Sequence, residues 1–182
     1  MPNYYLDIET TGLDPNKDKI ITIQFQQLDK NTAEPKGELK IYKEWESSEK
    51  EIIERFIENT GINDEHPFSF VPVGFNLSFE HNFLKKRAFF KGLKMKDILG
   101  TPFIDLQPIA VLMNKGEFKG TSLDKLTKKP HSGRLIPEYY EKKQFDKIID
   151  YIEIEAEAFI ELAQFFYKKM PELMKELTKL KD

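Results

Sequence analysis

Two carboxylates sit inside an apolar run at the start of this chain, and they constrain it more than any other feature. Tyr4–Ile8 reads as a short strand that continues into Glu9 and ends at the turn-rich stretch Thr10-Thr11-Gly12-Leu13-Asp14-Pro15. Asp7 and Glu9 are i and i+2 on that strand, so its period of two points both carboxylates to one face. Like charges held together repel, a cost that a divalent cation between them offsets. The plainer alternative is that both acids simply terminate a strand. A carboxylate pair at the C-terminal end of a first strand also occupies the place where open α/β sheets carry their sites.

The rest of the pattern fits a sheet covered by helices. Ile20–Leu28 alternates Ile21, Ile23 and Phe25 with Thr22, Gln24 and Gln26, a second strand, and Leu39–Glu44 gives a third. Glu49–Asn59 has Ile52, Ile53, Phe56 and Ile57 at helical spacing with Gly61 just beyond, which predicts a helix. Phe70–Gly74 is a strand, Ser78–Lys91 a helix with Ser78 as its cap, Phe103–Leu106 a strand, and Ile109–Met113 part of an apolar helix. Residues 115–143 are basic and dotted with Gly and Pro, so helical pieces and loops are expected there. A long helix follows from Phe145 through Lys169, and Pro171 is expected to break it before a last helix over Glu172–Lys181. The fold class is α/β. At 182 residues, one domain over 1–182 is expected, with about 171–182 as a C-terminal helical extension.

Composition excludes several chemistries. There is no cysteine, which removes disulfides, thiolate metal sites and cysteine nucleophiles. No stretch approaches the roughly 18 apolar residues of a membrane helix, and the first residues lack a secretory pattern, so a cytoplasmic protein with no membrane partner is expected. Charge is unevenly spread: residues 1–84 carry −8, residues 85–143 carry +8, and residues 144–182 carry −3. An acidic segment beside a basic one suits a protein that gathers cations at one place and holds a polyanion at another. A lysine-rich solvated surface is the competing reading.

Two further places carry acids in suggestive company. Gly74-Phe75-Asn76-Leu77-Ser78-Phe79-Glu80 is a strand-to-helix junction with Asn in the turn and Glu in the first helical turn; helix capping alone also explains it. Tyr151 and Glu155 are i and i+4 on the long helix and so neighbours on one face, although Glu153, Glu157 and Glu161 also make that stretch an acidic stripe.

Taken in order, these segments resemble the DEDD superfamily of 3′–5′ exonucleases, the DnaQ-like group with an RNase H-like fold. Leu6-Asp7-Ile8-Glu9-Thr10-Thr11-Gly12-Leu13 is similar to its first motif. Asn76-x3-Glu80 resembles the second, and Tyr151-x3-Glu155 the third motif of the tyrosine subclass. The histidine subclass is excluded, because His66, His81 and His131 are followed five positions on by Val71, Lys86 and Ile136. The overall pattern is closest to the exonuclease domain of family-B DNA polymerases standing alone. The chain departs from the family in having Glu at 80 and 155, where Asp is usual.

The resemblance implies a mixed sheet whose first three strands form an antiparallel meander, with later strands parallel to the first. It also implies a two-metal hydrolase, using Mg²⁺ or Mn²⁺, that releases nucleoside 5′-monophosphates from single-stranded 3′ ends, DNA ahead of RNA. Asp7 would bridge both ions, Glu9 and Glu155 would complete one site, and Glu80 would hold the second. Tyr151, a neutral phenol at pH 7, would orient the attacking water. Thr10, Leu13 and Asn76 would meet the terminal nucleotides, and Phe75 and Phe79 offer stacking surfaces. Asp105 is expected in a supporting role. Lys85, Lys86, Arg87, Lys125, Lys128, Lys129 and Arg134 would line the backbone path or form a solvated surface. A replication or repair protein is the implied partner. The alternative is a catalytically silent nucleic-acid-binding module of such a complex, in keeping with the two Glu substitutions. Oligomeric state is open.

Overall fold

β1 (Asn3–Thr10) and β2 (Ile20–Leu28) pair antiparallel along nearly their whole length, from Asn3 opposite Leu28 to Thr10 opposite Ile20, with one register irregularity after Glu9. β3 (Lys40–Lys43) adds antiparallel to β2, while β4 (Val71–Gly74) and β5 (Ile104–Asp105) add in parallel on the other side. The order is β3-β2-β1-β4-β5, so the expected meander and parallel strands are both present. The computed structural model describes residues 2–129 and 133–179. Among them no helix is long and apolar enough to cross a membrane.

The alternation along β1 and β2 decides which helices cover which face. Leu6, Ile8, Ile23 and Phe25 pack with Ile52, Ile53 and Phe56 of α1 (Glu49–Thr60) and with Phe83, Leu84 and Ala88 of α2 (Ser78–Phe90). Tyr5 and Val73 face the other way, onto Leu106 and Ala110 of α3 (Leu106–Met113) and Ala156, Phe159 and Ala163 of α6 (Phe145–Thr178). Phe159 stacks on Tyr5 with ring centroids 4.8 Å apart. Asp7 and Glu9 share the parity of Tyr5, so the α6 side of the sheet carries the carboxylates. Residues 115–143 hold only short pieces among the described residues, α4 (Leu123–Leu126), a 3-10 turn over Gly133–Leu135 and α5 (Ile136–Glu141), with loops between them.

Three local expectations change. Pro171 lies inside α6, which runs unbroken from Phe145 to Thr178. The proline removes one donor, the N–H that would bond the Tyr167 carbonyl, and so costs a single hydrogen bond in a helix of 34 residues. Leu180, Lys181 and Asp182, the end of that expected segment, lie outside the described residues. Ser78 does not cap α2; it is the first helical residue, and its hydroxyl donates to Asn76 Oδ1 at 2.7 Å. The turn is held instead by Asp105, whose carboxylate accepts from the Asn76 N–H at 2.8 Å and the Leu77 N–H at 3.0 Å. It also accepts from the Gln107 N–H at 3.0 Å at the start of α3. Finally, Arg87 is no part of a basic path. Its guanidinium forks onto buried Glu49 with both contacts at 2.7 Å, tying α2 to α1.

Candidate active site

β1 delivers Asp7 and Glu9 to one face, and α6 crosses that face with Tyr151 and Glu155 one turn apart. Carboxylate oxygens of Asp7, Glu9 and Glu155 come together within 4.8 Å of one another. Glu80, on the first turn of α2 and 4% exposed, lies against Asp7. Its position follows from a close approach at the end of β4. A side chain on Gly74 would strike Leu77 at 2.4 Å and the Leu6 carbonyl at 3.2 Å, so glycine lets α2 begin hard against β1. Asn76 takes a left-handed φ of 66°, which asparagine tolerates, to turn the chain there.

Burial, and then neighbouring charge, raises the proton affinity of Asp7, Glu9 and Glu80. Desolvation pushes Asp7 up to about 7, with Glu155 adding to it and Lys129 and a hydrogen bond from Gln24 opposing it. Glu9 is pushed well above the usual carboxylate range by burial, then by Glu155 and Asp7. Glu80 goes the same way through burial and Asp7. Burial, Glu155 and Glu9 hold the Tyr151 phenol far above its ordinary value, so it stays protonated at any physiological pH. One oxygen of Glu80, Oε2, is buried with no hydrogen-bond partner. An all-oxygen donor set with an unpaired buried carboxylate oxygen fits a hard divalent cation such as Mg²⁺ or Mn²⁺.

Several neighbours join the site that spacing alone does not indicate. Gln24 donates its amide to Asp7 Oδ2 at 2.8 Å and receives the Thr22 hydroxyl at 3.0 Å, both fully buried on β2. Their signal is the polar half of the β2 alternation, which points at the acids rather than at solvent. Lys129 does not belong to the expected basic path. Its side chain is 7% exposed, its ammonium paired with Glu155 and 4.7 Å from the centre of the Tyr151 ring. Gly133 leaves room for the site: a Cβ there would sit 3.1 Å from the Tyr151 hydroxyl and 3.7 Å from Glu9 Oε2. No repeating pattern places either residue: Lys129 follows α4 in a loop, and Gly133 opens a single 3-10 turn. His131, between them in sequence, lies outside the described residues.

The residues expected to meet substrate are spread around this centre. Thr10 is buried and donates to the Gly12 carbonyl at 2.6 Å, shaping the turn that leaves Leu13 84% exposed. Phe75 lines a small cavity of about 80 Å³ with Asp7 and Glu155, and Phe79 is half-buried against Phe83. Asn76 is exposed beside them. Lys125, Lys128 and Arg134 are exposed, and Lys85 pairs with Asp97 at 3.3 Å.

A family model of the RNase H superfamily matches residues 4–167. The chain belongs to the RNase H superfamily. Among solved structures, this superfamily member is similar in fold to exonuclease I, with a TM-score of 0.65 at 14% identity over 98% of this chain and 43% of that one. A zinc-bound complex of Escherichia coli exonuclease I with single-stranded DNA gives 0.66 at 14% identity, covering 98% of this chain and 43% of that one. The same enzyme with a dT13 oligonucleotide gives 0.60 at 13% identity, covering 97% and 43%. This chain therefore spans less than half the length of the exonuclease I chains it matches. No curated protein sequence matches it.

Proposed function

We propose that this RNase H superfamily member is a divalent-metal-dependent 3′–5′ exonuclease of the tyrosine subclass, acting on single-stranded nucleic acid and on DNA ahead of RNA. The observation that carries the reading is the convergence of Asp7, Glu9 and Glu155 within 4.8 Å, with the unpaired Glu80 Oε2 beside Asp7. The single-stranded DNA held by the exonuclease I structures supports the choice of substrate.

Asp7, Glu9 and Glu155 would hold one divalent ion, and Asp7 with Glu80 a second. Bound ions supply a nucleophile at neutral pH and offset charge on the leaving oxygen. The chain's own groups do the remaining work. Gln24 fixes the Asp7 carboxylate by its amide, so that Asp7 is oriented before any ion or substrate arrives. Tyr151, held protonated, donates a hydrogen bond to the attacking water and does not remove its proton. The water's oxygen bonds to phosphorus as the P–O3′ bond breaks, its proton is given up to solvent, and the leaving O3′ takes a proton from solvent, giving a nucleoside 5′-monophosphate and a strand with a new 3′-hydroxyl. The Leu13 side chain stands out from its turn where it can wedge against the terminal base.

A second reading, a nucleic-acid-binding module without hydrolysis, is favoured by Lys129, whose ammonium already places positive charge among the carboxylates. A C-terminal peptide of single-stranded-DNA-binding protein is bound in one exonuclease I complex, and it supports a replication or repair partner for either reading. The two separate in one assay, chromatography of products from single-stranded DNA with Mg²⁺, Mn²⁺ or EDTA, beside Asp7→Ala. The exonuclease releases mononucleotides only with a metal and only from the wild type. Strand binding without mononucleotides under every metal would leave the silent module.

A further inference from the structure

The C-terminal half of α2 is unusual for a surface helix. It ends in Phe89 and Phe90, 74% and 47% exposed, within a segment of six basic and no acidic residues over 85–96. Two of the six, Arg87 and Lys91, are committed to Glu49. The other four border two grooves that share Phe89 and Lys85. One groove, of about 570 Å³, runs from Leu13 and Phe79 past Lys86 to Phe89. The other, of about 580 Å³, continues beyond Phe89 to Lys94, Met95 and Lys96. Among the described residues no carboxylate lines either one, although Asp97 reaches Lys85 and His81 from beside the first. The first groove is lined by Leu13, from the turn after β1, and by Phe79, whose neighbour in the chain is Glu80, so both the strand that carries Asp7 and Glu9 and the helix that carries Glu80 border it.

Exposed aromatic rings alternating with cations are what a single strand needs from a surface. Bases stack on any ring, and phosphates pair with any ammonium, without sequence preference. Resting on the exonuclease reading above, we propose that the two grooves form a binding track for the strand on the 5′ side of the nucleotide being removed. Leu13 marks its start, Phe89 is a stacking ledge between the grooves, and Lys86 and Lys94 take phosphates on either side of it. The track makes affinity grow with strand length beyond the terminal nucleotides.

Fluorescence anisotropy with 5′-fluorescein dT3, dT6, dT9 and dT12 in EDTA, at several KCl concentrations, tests this. Phe89→Ala and Lys94→Gln replace exposed side chains, and circular dichroism checks that their folds persist. The wild type gains affinity from dT3 to dT12. Phe89→Ala loses about tenfold on dT12, and Lys94→Gln lowers the slope of log affinity against log salt by about 0.7. Both variants binding dT12 as the wild type does, in a protein that shortens the strand from its 3′ end, would overturn the track alone. A wild type that releases no nucleotide with Mg²⁺ or Mn²⁺ would instead overturn the reading beneath it.

Discussion

The acidic centre should cost the metal-free protein stability, and Asp7→Asn measures how much. In the folded chain Asp7 titrates near 7, against 3.8 for an unperturbed aspartate. The folded state therefore holds a proton that the unfolded chain releases, and stability is full below about pH 4 and lost as pH rises towards 7. At about 1.4 kcal/mol per pH unit the difference amounts to roughly 4 kcal/mol at pH 8. Asparagine removes the charge and keeps an oxygen to accept the Gln24 amide, so the variant escapes this loss. For a chain of this size, about 2–4 °C per kcal/mol puts Asp7→Asn roughly 8–16 °C above the wild type at pH 8. Thermal unfolding in EDTA between pH 4.5 and 8 reads it directly. A variant no more stable than the wild type at pH 8, or a gain that does not shrink as pH falls towards 4, would refute the reasoning. Adding Mn²⁺ should raise the wild-type midpoint and leave that of Asp7→Asn nearly unmoved.

Other substitutions separate the parts of the site. Lys129→Met strips a buried ammonium from beside Glu155 and should destabilise the metal-free fold by about 3 kcal/mol, read by denaturant unfolding in EDTA. The same variant should bind Mn²⁺ at least tenfold more tightly by calorimetry, since it removes a competing positive charge; weaker binding would show that Lys129 supports the ions instead. Gly133→Ala puts a methyl group 3.1 Å from the Tyr151 hydroxyl and should lower kcat by about tenfold or more with the unfolding midpoint little changed. Phe159→Ala opens a cavity against Tyr5 and should cost about 3–5 kcal/mol in denaturant unfolding.

Periodic features of this chain were legible, and irregular ones were not. β2 occupies Ile20–Leu28 as its alternation dictates, and α1 ends at Gly61 because that residue adopts a left-handed φ of 64°. The i, i+2 and i, i+4 spacings of Asp7 with Glu9 and of Tyr151 with Glu155 carry into the structure, because each depends only on its own element. What spacing cannot convey is which loop returns to those elements. Lys129 and Gly133 reach the site from an irregular stretch with no periodicity to place them. Asp105 looks from the sequence like a spare acid, and only the parallel pairing of β4 with β5 shows it serving the Asn76 and Leu77 amides. Arg87 reads as one more surface cation until α1 brings Glu49 to it. Pro171 misleads for the opposite reason: its effect is confined to one hydrogen bond of a helix that runs on through it.

The most direct test of the central claim is polarity. A single-stranded DNA labelled at its 5′ end is incubated with Mg²⁺ or Mn²⁺, beside the same strand carrying an inverted nucleotide that leaves no free 3′-hydroxyl. The exonuclease reading of the acidic centre predicts a ladder that shortens one nucleotide at a time on the free strand, none on the blocked strand, and none with EDTA or with Asp7→Ala. Early internal cuts on the blocked strand, or a labelled mononucleotide released at once from the 5′ end, would contradict it.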